Sequence, residues 1–262
     1  MFREEVAGVA QLAVKKVDLM NKRPLAYLIL SMLAGIYVGV AMFFIFVIGG
    51  MLVGSPLEAG AKIMMGLSFA VALSLVVMAG SELFTGNNLV MTIGLYHRMV
   101  SWKDAIKLWI FCWVGNWLGS ALIAVLFLFT GVAKGPIAEF IVKGANAKMS
   151  LTIPELIARG LFCNLLVCLA VWCALKMKSE SGKLIMIFWC IFAFITSGFE
   201  HSVANMSFLL VGLLHPMGEI LSWSGYAYNL FFVTIGNMLG GILLVAIPYA
   251  IIAGRENDTK IK

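Results

Sequence analysis

One histidine, His201, lies deep inside an apolar stretch of the chain, whereas His97 and His215 sit at the ends of such stretches. An imidazole, whose unperturbed pKa is about 6.5, can offer a proton or a hydrogen bond to a weak-acid anion; the plainer role is that of a buried hydrogen-bonding partner. Glu200 precedes it, and Glu82 occupies the matching place in an earlier stretch. A carboxylate in a bilayer core costs about 2.5–3.5 kcal/mol even on the milder insertion scale, so both glutamates must be paired or bonded. They either accept bonds that pin the surrounding chain or relay protons. The hydroxyl of Thr85 can meet a solute or close a helix end, and the amides of Asn164 and Asn237 can reach the polar segments or bond neighbouring helices. Lys148 can draw anions to a mouth or simply be solvated. Phe69 and Leu73, one helical turn apart, and Phe194 can narrow a passage or only pack.

These groups need elements that hold them out of water, and the composition supplies them. Of the 262 residues 62% are hydrophobic and 12% charged, with a mean hydropathy of +1.00, which excludes a soluble globular protein. Apolar runs at 25–48, 61–97, 106–131, 155–176, 184–213 and 226–252 each reach the roughly 20 residues of a bilayer crossing. One transmembrane domain over 1–262 is therefore expected: an interfacial helix at 1–23, a first repeat at 24–131, an outer loop at 132–153, a second repeat at 154–252 and a tail at 253–262. The N-terminal stretch lacks the unbroken apolar core of a signal peptide. Phe2, Val6, Val9, Ala13, Val17 and Met20 mark one helical face there, with lysines on another. Fourteen Lys and Arg fall on one side of the crossings and five on the other, which places both termini in the cytoplasm. The net charge of +6 is thus a topology signal, and nucleic acid is not an expected partner.

The second and fifth runs carry polar stretches near their middles, Gly80-Ser-Glu-Leu-Phe-Thr-Gly-Asn-Asn88 and Ser197-Gly-Phe-Glu-His-Ser-Val-Ala-Asn205. Lipid cannot solvate irregular backbone, which is tolerated at that depth only inside protein or beside a water-filled cavity. Gly80, Glu82, Asn87 and Gly94 recur as Gly198, Glu200, Asn205 and Gly212 at an offset of 118, and Gly115-Asn-Trp-Leu-Gly119 resembles Gly236-Asn-Met-Leu-Gly240 at an offset of 121. Three spans repeat as three spans, so the second copy is inverted, and matching broken helices point to a midplane transport site. The fold class read from this is all-α integral membrane: six helices, an aquaporin-like inverted repeat of three plus three, the second and fifth helices broken.

At these residues the sequence resembles the formate/nitrite transporter family of small-anion channels. Ala79-Gly-Ser-Glu-Leu-Phe-Thr-Gly86 is similar to the family's first break, and Ala193-Phe-Ile-Thr-Ser-Gly-Phe-Glu-His-Ser-Val-Ala-Asn-Met206 to its second. Asn164-Leu-Leu-Val-Cys-Leu-Ala-Val-Trp172 and Val233-Thr-Ile-Gly-Asn237 resemble its fourth and sixth spans. The resemblance implies a homopentamer in a bacterial inner membrane, with one pore per protomer. It implies His201 as the central histidine, Thr85 as its hydroxyl partner, Asn164 and Asn237 as pore asparagines, and Lys148 as the vestibule lysine. Phe69, Leu73 and Phe194 would form an outer slit, and Phe84 and Val167 an inner one, both acting by dewetting. Glu82 and Glu200 stand behind them. Family members pass formate, nitrite or hydrosulfide; across its length the chain looks most like the hydrosulfide branch, with nitrite next, although Gly86-Asn-Asn88 departs from the Ser-containing version common in formate members. Chloride is a further candidate anion.

Two other functions compete on the residues alone. A neutral-solute pore fits the inverted repeat, but the paired Asn-Pro-Ala signature is absent. A membrane redox enzyme would need two histidines at depth for bis-histidine haem, and only His201 qualifies; Cys112, Cys163, Cys168, Cys173 and Cys190 show no CxxC spacing. No P-loop is present for ATP coupling. The reading is a channel rather than an enzyme, with no cofactor.

Overall fold

The computed structural model describes residues 1–254; the tail expected at 253–262 lies, from residue 255 onward, outside the described residues. Helix α1, Arg3–Lys22, buries Val6, Val9, Ala10, Ala13, Val17 and Met20 against the bundle. Proline at the first position of α2, Pro24–Leu52, fixes the start of the first span. The second span is built from α3, Ala61–Phe69, α4, Val71–Leu75, and a π turn at Val76–Gly80; it breaks, and resumes as α5, Phe84–Tyr96. A capping box closes the start of α6, Trp102–Phe129: the Ser101 hydroxyl accepts from the Asp104 amide, and the Asp104 carboxylate accepts from the Ser101 amide.

Where an outer loop is expected, the chain forms a helix, α7, Gly135–Met149, which buries Ala138, Ile141, Val142 and Ala145. Those four positions have the spacing of one helical face. Two of the four are alanines and the helix also carries Lys143 and Lys148, which hid the face among polar residues. The second copy follows with α8, Ile153–Lys176; α9, Glu180–Thr196; α10, Ser202–Leu214; α11, Trp223–Gly241; a π turn at Ile242–Ala246; and α12, Ile247–Ala253. Among the described residues five stretches are long and apolar enough to cross a membrane, and the remaining crossing is divided between α9 and α10.

The repeating unit is larger than three spans. Each copy opens with an amphipathic helix, α1 or α7, and continues with a span, a broken span and a span. The crossing of α2 with α6 matches that of α8 with α11. A Cβ added at Gly119 would strike the carbonyl of Met32, and one at Gly240 that of Leu161, the residue equivalent to Met32. The amphipathic helices dock equivalently: a Cβ at Gly94 would stand 2.6 Å from the Ala13 methyl, and one at Gly212 2.8 Å from the Ala145 methyl. The half-helices α5 and α10 form the centre, with all of residues 84–94 and all of 202–212 buried. A helix buried on every side has no lipid face, which frees its sequence to carry polar residues.

Candidate pore and anion site

Both breaks turn at a glycine in the left-handed region, Gly80 at φ +80° and Gly198 at φ +73°, where a side chain would strain the backbone. Each broken segment is then clamped by one asparagine. Asn116 Oδ1 accepts from the Phe84 amide at 2.9 Å, while its Nδ2 donates to the carbonyls of Ser31 (2.7 Å) and Glu82 (2.8 Å). Asn237 repeats this: Oδ1 accepts from the Ser202 amide at 2.9 Å, and Nδ2 donates to the carbonyls of Gly160 (2.8 Å) and Glu200 (2.9 Å). The amides of Glu82 and Glu200 donate to Leu30 and Arg159, again equivalent residues. Backbone with no water to bond is thereby satisfied by protein. Asn237 directs its amide at these backbone groups, and Asn116, its partner in the first copy, is a residue that sequence reasoning did not single out despite its place in the matched Gly-Asn-x-Leu-Gly motif.

The two glutamates are held alike. Glu82 is bonded by Lys16 Nζ at 2.6 Å, by Asn87 Nδ2 at 3.0 Å and by the Tyr27 hydroxyl at 3.1 Å. Glu200 is bonded by Lys148 Nζ and Asn205 Nδ2, each at 2.6 Å. The lysines come from equivalent positions of α1 and α7. Lys16 had been expected on the face of α1 turned away from the apolar one, but its side chain is only 13% exposed and turns inward to Glu82. Lys148, expected in a loop, stands in the last turn of α7 with its side chain 22% exposed. A buried charge pair of this kind stays in place when hydrogen bonds complete it, and the two asparagines do so.

Between these ends lies His201, the N-cap of α10, 5% exposed. Its Nδ1 accepts from the Ala204 amide at 3.1 Å, so the neutral ring carries its proton on Nε2. Nε2 is 3.1 Å from Thr85 Oγ1, and donation to that oxygen leaves the threonine hydroxyl hydrogen free to turn toward a solute. Asn164 Nδ2 donates to the carbonyls of Asn237 (2.6 Å) and Thr85 (3.3 Å), and the Cys168 thiol approaches the latter at 3.4 Å. The histidine borders a small cavity of about 10 Å³, room for one water-sized body, together with Phe69, Leu73, Leu83, Val167 and Phe194. The Phe69 and Phe194 rings meet edge-on at 5.9 Å, and Phe194 lies 6.0 Å from the imidazole.

A second cavity, of about 370 Å³, opens on the α1 side and is lined by Lys16, Glu82, Asn87 and Val90, among others. Leu73 and Leu83 border both cavities and are the wall between them. Thus Leu73 closes the α1 side of the histidine cavity as well as standing near Phe69. Val167 groups with Phe69 and Phe194, not with Phe84, which is buried and borders neither cavity. The N-termini of α5 and α10 both begin at this centre, and their dipoles favour negative charge there.

A family model described as formate/nitrite transporter matches residues 3–251. The chain belongs to the formate/nitrite transporter family. It is 35% identical to the nitrite transporter NirC of Salmonella typhimurium, over 95% of this chain and 91% of that one. It is 31% identical to the formate channel FocA of Escherichia coli, over 91% of this chain and 90% of the relative. Among solved structures, a formate/nitrite transporter family ion channel superposes with a TM-score of 0.91 at 33% identity, covering 97% of this chain and all of that one. A pentameric formate channel with formate bound superposes with a TM-score of 0.78 at 28% identity, over 88% of this chain and 98% of the other. The chain is therefore a multi-pass membrane transporter of a family whose named members carry nitrite and formate, and not an enzyme.

Within this member of the family the repeat is nearly complete around the pore and fails at its middle. Leu83 and His201 are equivalent residues, each the N-cap of its half-helix with extended backbone. Only the histidine side chain caps its helix; Leu83 forms no side-chain cap. Sequence reasoning passed over Leu83 because leucine in an apolar run carries no chemical signal. Its equivalence to His201 at the offset of 118 was the available clue.

Proposed function

We propose that the chain conducts small monovalent weak-acid anions through a pore of its own, with hydrosulfide as the first candidate anion and nitrite or formate as the nearest others. The observation that carries this reading is the Thr85–His201 hydrogen bond at the edge of an apolar cavity, between the N-termini of two half-helices. Lys16 and Lys148, each neutralised by its glutamate, offer their remaining N–H donors to an anion at the two mouths. The walls formed by Leu73 with Leu83, and by Phe69 with Phe194, strip water from the entering ion. The Thr85 hydroxyl, oriented by His201, replaces part of the lost hydration at the point where the solute is driest. The retained Nδ1 bond to Ala204 favours a neutral imidazole acting as hydrogen-bond donor over an imidazolium giving up a proton. Asn164 positions Thr85 through its carbonyl, and Asn237 holds the second break.

The likeness of the sequence to the hydrosulfide branch is what supports hydrosulfide as the first candidate. The relatives named for nitrite and formate support the wider class, for which chloride is the strong-acid control. Likeness to a pentameric neighbour supports a homopentamer. The charge imbalance supports cytoplasmic termini in a bacterial inner membrane. The test is flux into liposomes of hydrosulfide, nitrite, formate and chloride at several pH values, with His201→Ala and empty vesicles as controls. We expect hydrosulfide flux above that of the other anions after subtraction of neutral hydrogen sulfide leak, and a much lower flux in the variant at every pH. Preference for nitrite or formate would replace the substrate, undiminished flux in His201→Ala would remove the role of His201, and a lost pH dependence would replace the neutral donor by a proton-giving imidazolium.

A further inference from the structure

Asn88 is fully buried, yet neither its amide nitrogen nor its amide oxygen has a hydrogen-bond partner among protein groups. Thr92, one helical turn further along α5 and 8% exposed, has a buried hydroxyl in the same condition. Side chains four residues apart on a helix lie on one face, so the two are neighbours. This is not the pore face: Leu83, Gly86, Asn87 and Val90 line the larger cavity, and Asn88 does not.

Asn88 faces Gly241, where α11 gives way to the π turn. A Cβ added at Gly241 would lie 3.2 Å from the Asn88 Cβ, 2.6 Å from Asn164 Nδ2 and 2.8 Å from Cys168 Sγ. Three polar side chains from α5 and α8 thus converge on a position without a side chain. The π turn Ile242–Ala246 packs against α5. Such a turn interrupts the regular ladder of α-helical bonds and leaves a carbonyl without its usual amide. An unpaired polar group inside a membrane protein is among the costliest arrangements available, and here the Asn88 amide and the Thr92 hydroxyl are both unpaired beside the π turn.

We propose that the seam between α5, α8 and the π turn of α11 is a built water site, in which ordered water bridges the Asn88 amide to the Thr92 hydroxyl. The donor set favours water over a cation. Asn88 offers two N–H groups as well as a carbonyl oxygen, and Thr92 both donates and accepts; a water satisfies both kinds of group, whereas a cation would face the N–H groups unfavourably. The hydrated seam runs behind the pore and outside the solute path, one turn from Thr85 on α5.

The sign of a stability change tests this. Full-length protein in detergent is melted with tryptophan fluorescence as the readout, for wild type, Asn88→Leu, Thr92→Val and the double variant. If water bridges the two residues, each single substitution lowers Tm, and the double lowers it by less than the sum, since either one disrupts the shared water. If the seam is dry, each substitution removes an unpaired polar group and Tm stays or rises, which overturns the proposal. Should Asn88→Leu fail to fold, Thr92→Val, close to isosteric, decides the sign alone. A wild-type Tm that rises with sodium but not with an equal concentration of a bulky organic cation, the rise being absent in Thr92→Val, would assign a metal cation and also overturn it. Density within hydrogen-bond distance of the Asn88 amide in a high-resolution map is the direct confirmation.

Discussion

Replacing Asn237 by leucine removes three hydrogen bonds at once: one from the Ser202 amide and two to the carbonyls of Gly160 and Glu200. Leucine fills a similar volume, so the loss is one of partners rather than of packing. At about 1–3 kcal/mol for each buried group left unpaired, the three together amount to roughly 3–9 kcal/mol. A side-chain hydrogen bond in a membrane protein has a typical measured worth of about 0.6 kcal/mol, and three of those give roughly 2 kcal/mol. The smaller figure holds where neighbours can turn to other partners, which extended backbone at a fixed break cannot do. The equivalent change at Asn116 should cost less. The Glu82 carbonyl keeps the Cys112 thiol at 3.3 Å, so nearer two groups are orphaned, roughly 2–6 kcal/mol; Val233 stands at the position equivalent to Cys112 and offers no such donor. Reversible unfolding in mixed micelles, followed by tryptophan fluorescence, gives both values. A cost below about 1 kcal/mol for each, or a larger cost at Asn116 than at Asn237, would refute the clamp as described.

The charge pairs give a second test. Lys148→Met leaves Glu200 buried without its cation and should cost about 3–5 kcal/mol, while Lys148→Met with Glu200→Gln should recover most of the loss in the same unfolding titration. The docking of the amphipathic helices gives a third. Gly94→Ala and Gly212→Ala each force a methyl against an opposing alanine and should cost about 1–3 kcal/mol; hydrogen exchange should rise in α1 for the first variant and in α7 for the second.

The broken spans were legible because a break needs glycine, glutamate and asparagine where lipid would forbid them, and because those residues recur at a fixed spacing in the two copies. The repeat as a whole was harder to see. Equivalent residues lie 132 apart in the amphipathic helices, 129 in the first spans, 118 in the breaks and 121 in the last spans, since each connection differs in length, and no single offset aligns them all. The helix at Gly135–Met149 showed the same three- and four-residue spacing that revealed α1, but carried by alanines as well as by Ile141 and Val142. The inward turn of Lys16 could not be read at all: its partner, Glu82, is 66 residues away, and nothing local distinguishes it from Lys15.

Each broken span is braced by a lysine, a glutamate and an asparagine in the same connectivity. A pore of the kind proposed above would therefore carry the same pair of charges behind each of its two ends. Any rectification by the proposed pore would then originate at the middle, where Leu83 and His201 break the repeat. Under that reading net transport would follow whichever gradient the cell maintains, so that one unaltered protein would serve for uptake under one condition and for disposal under another.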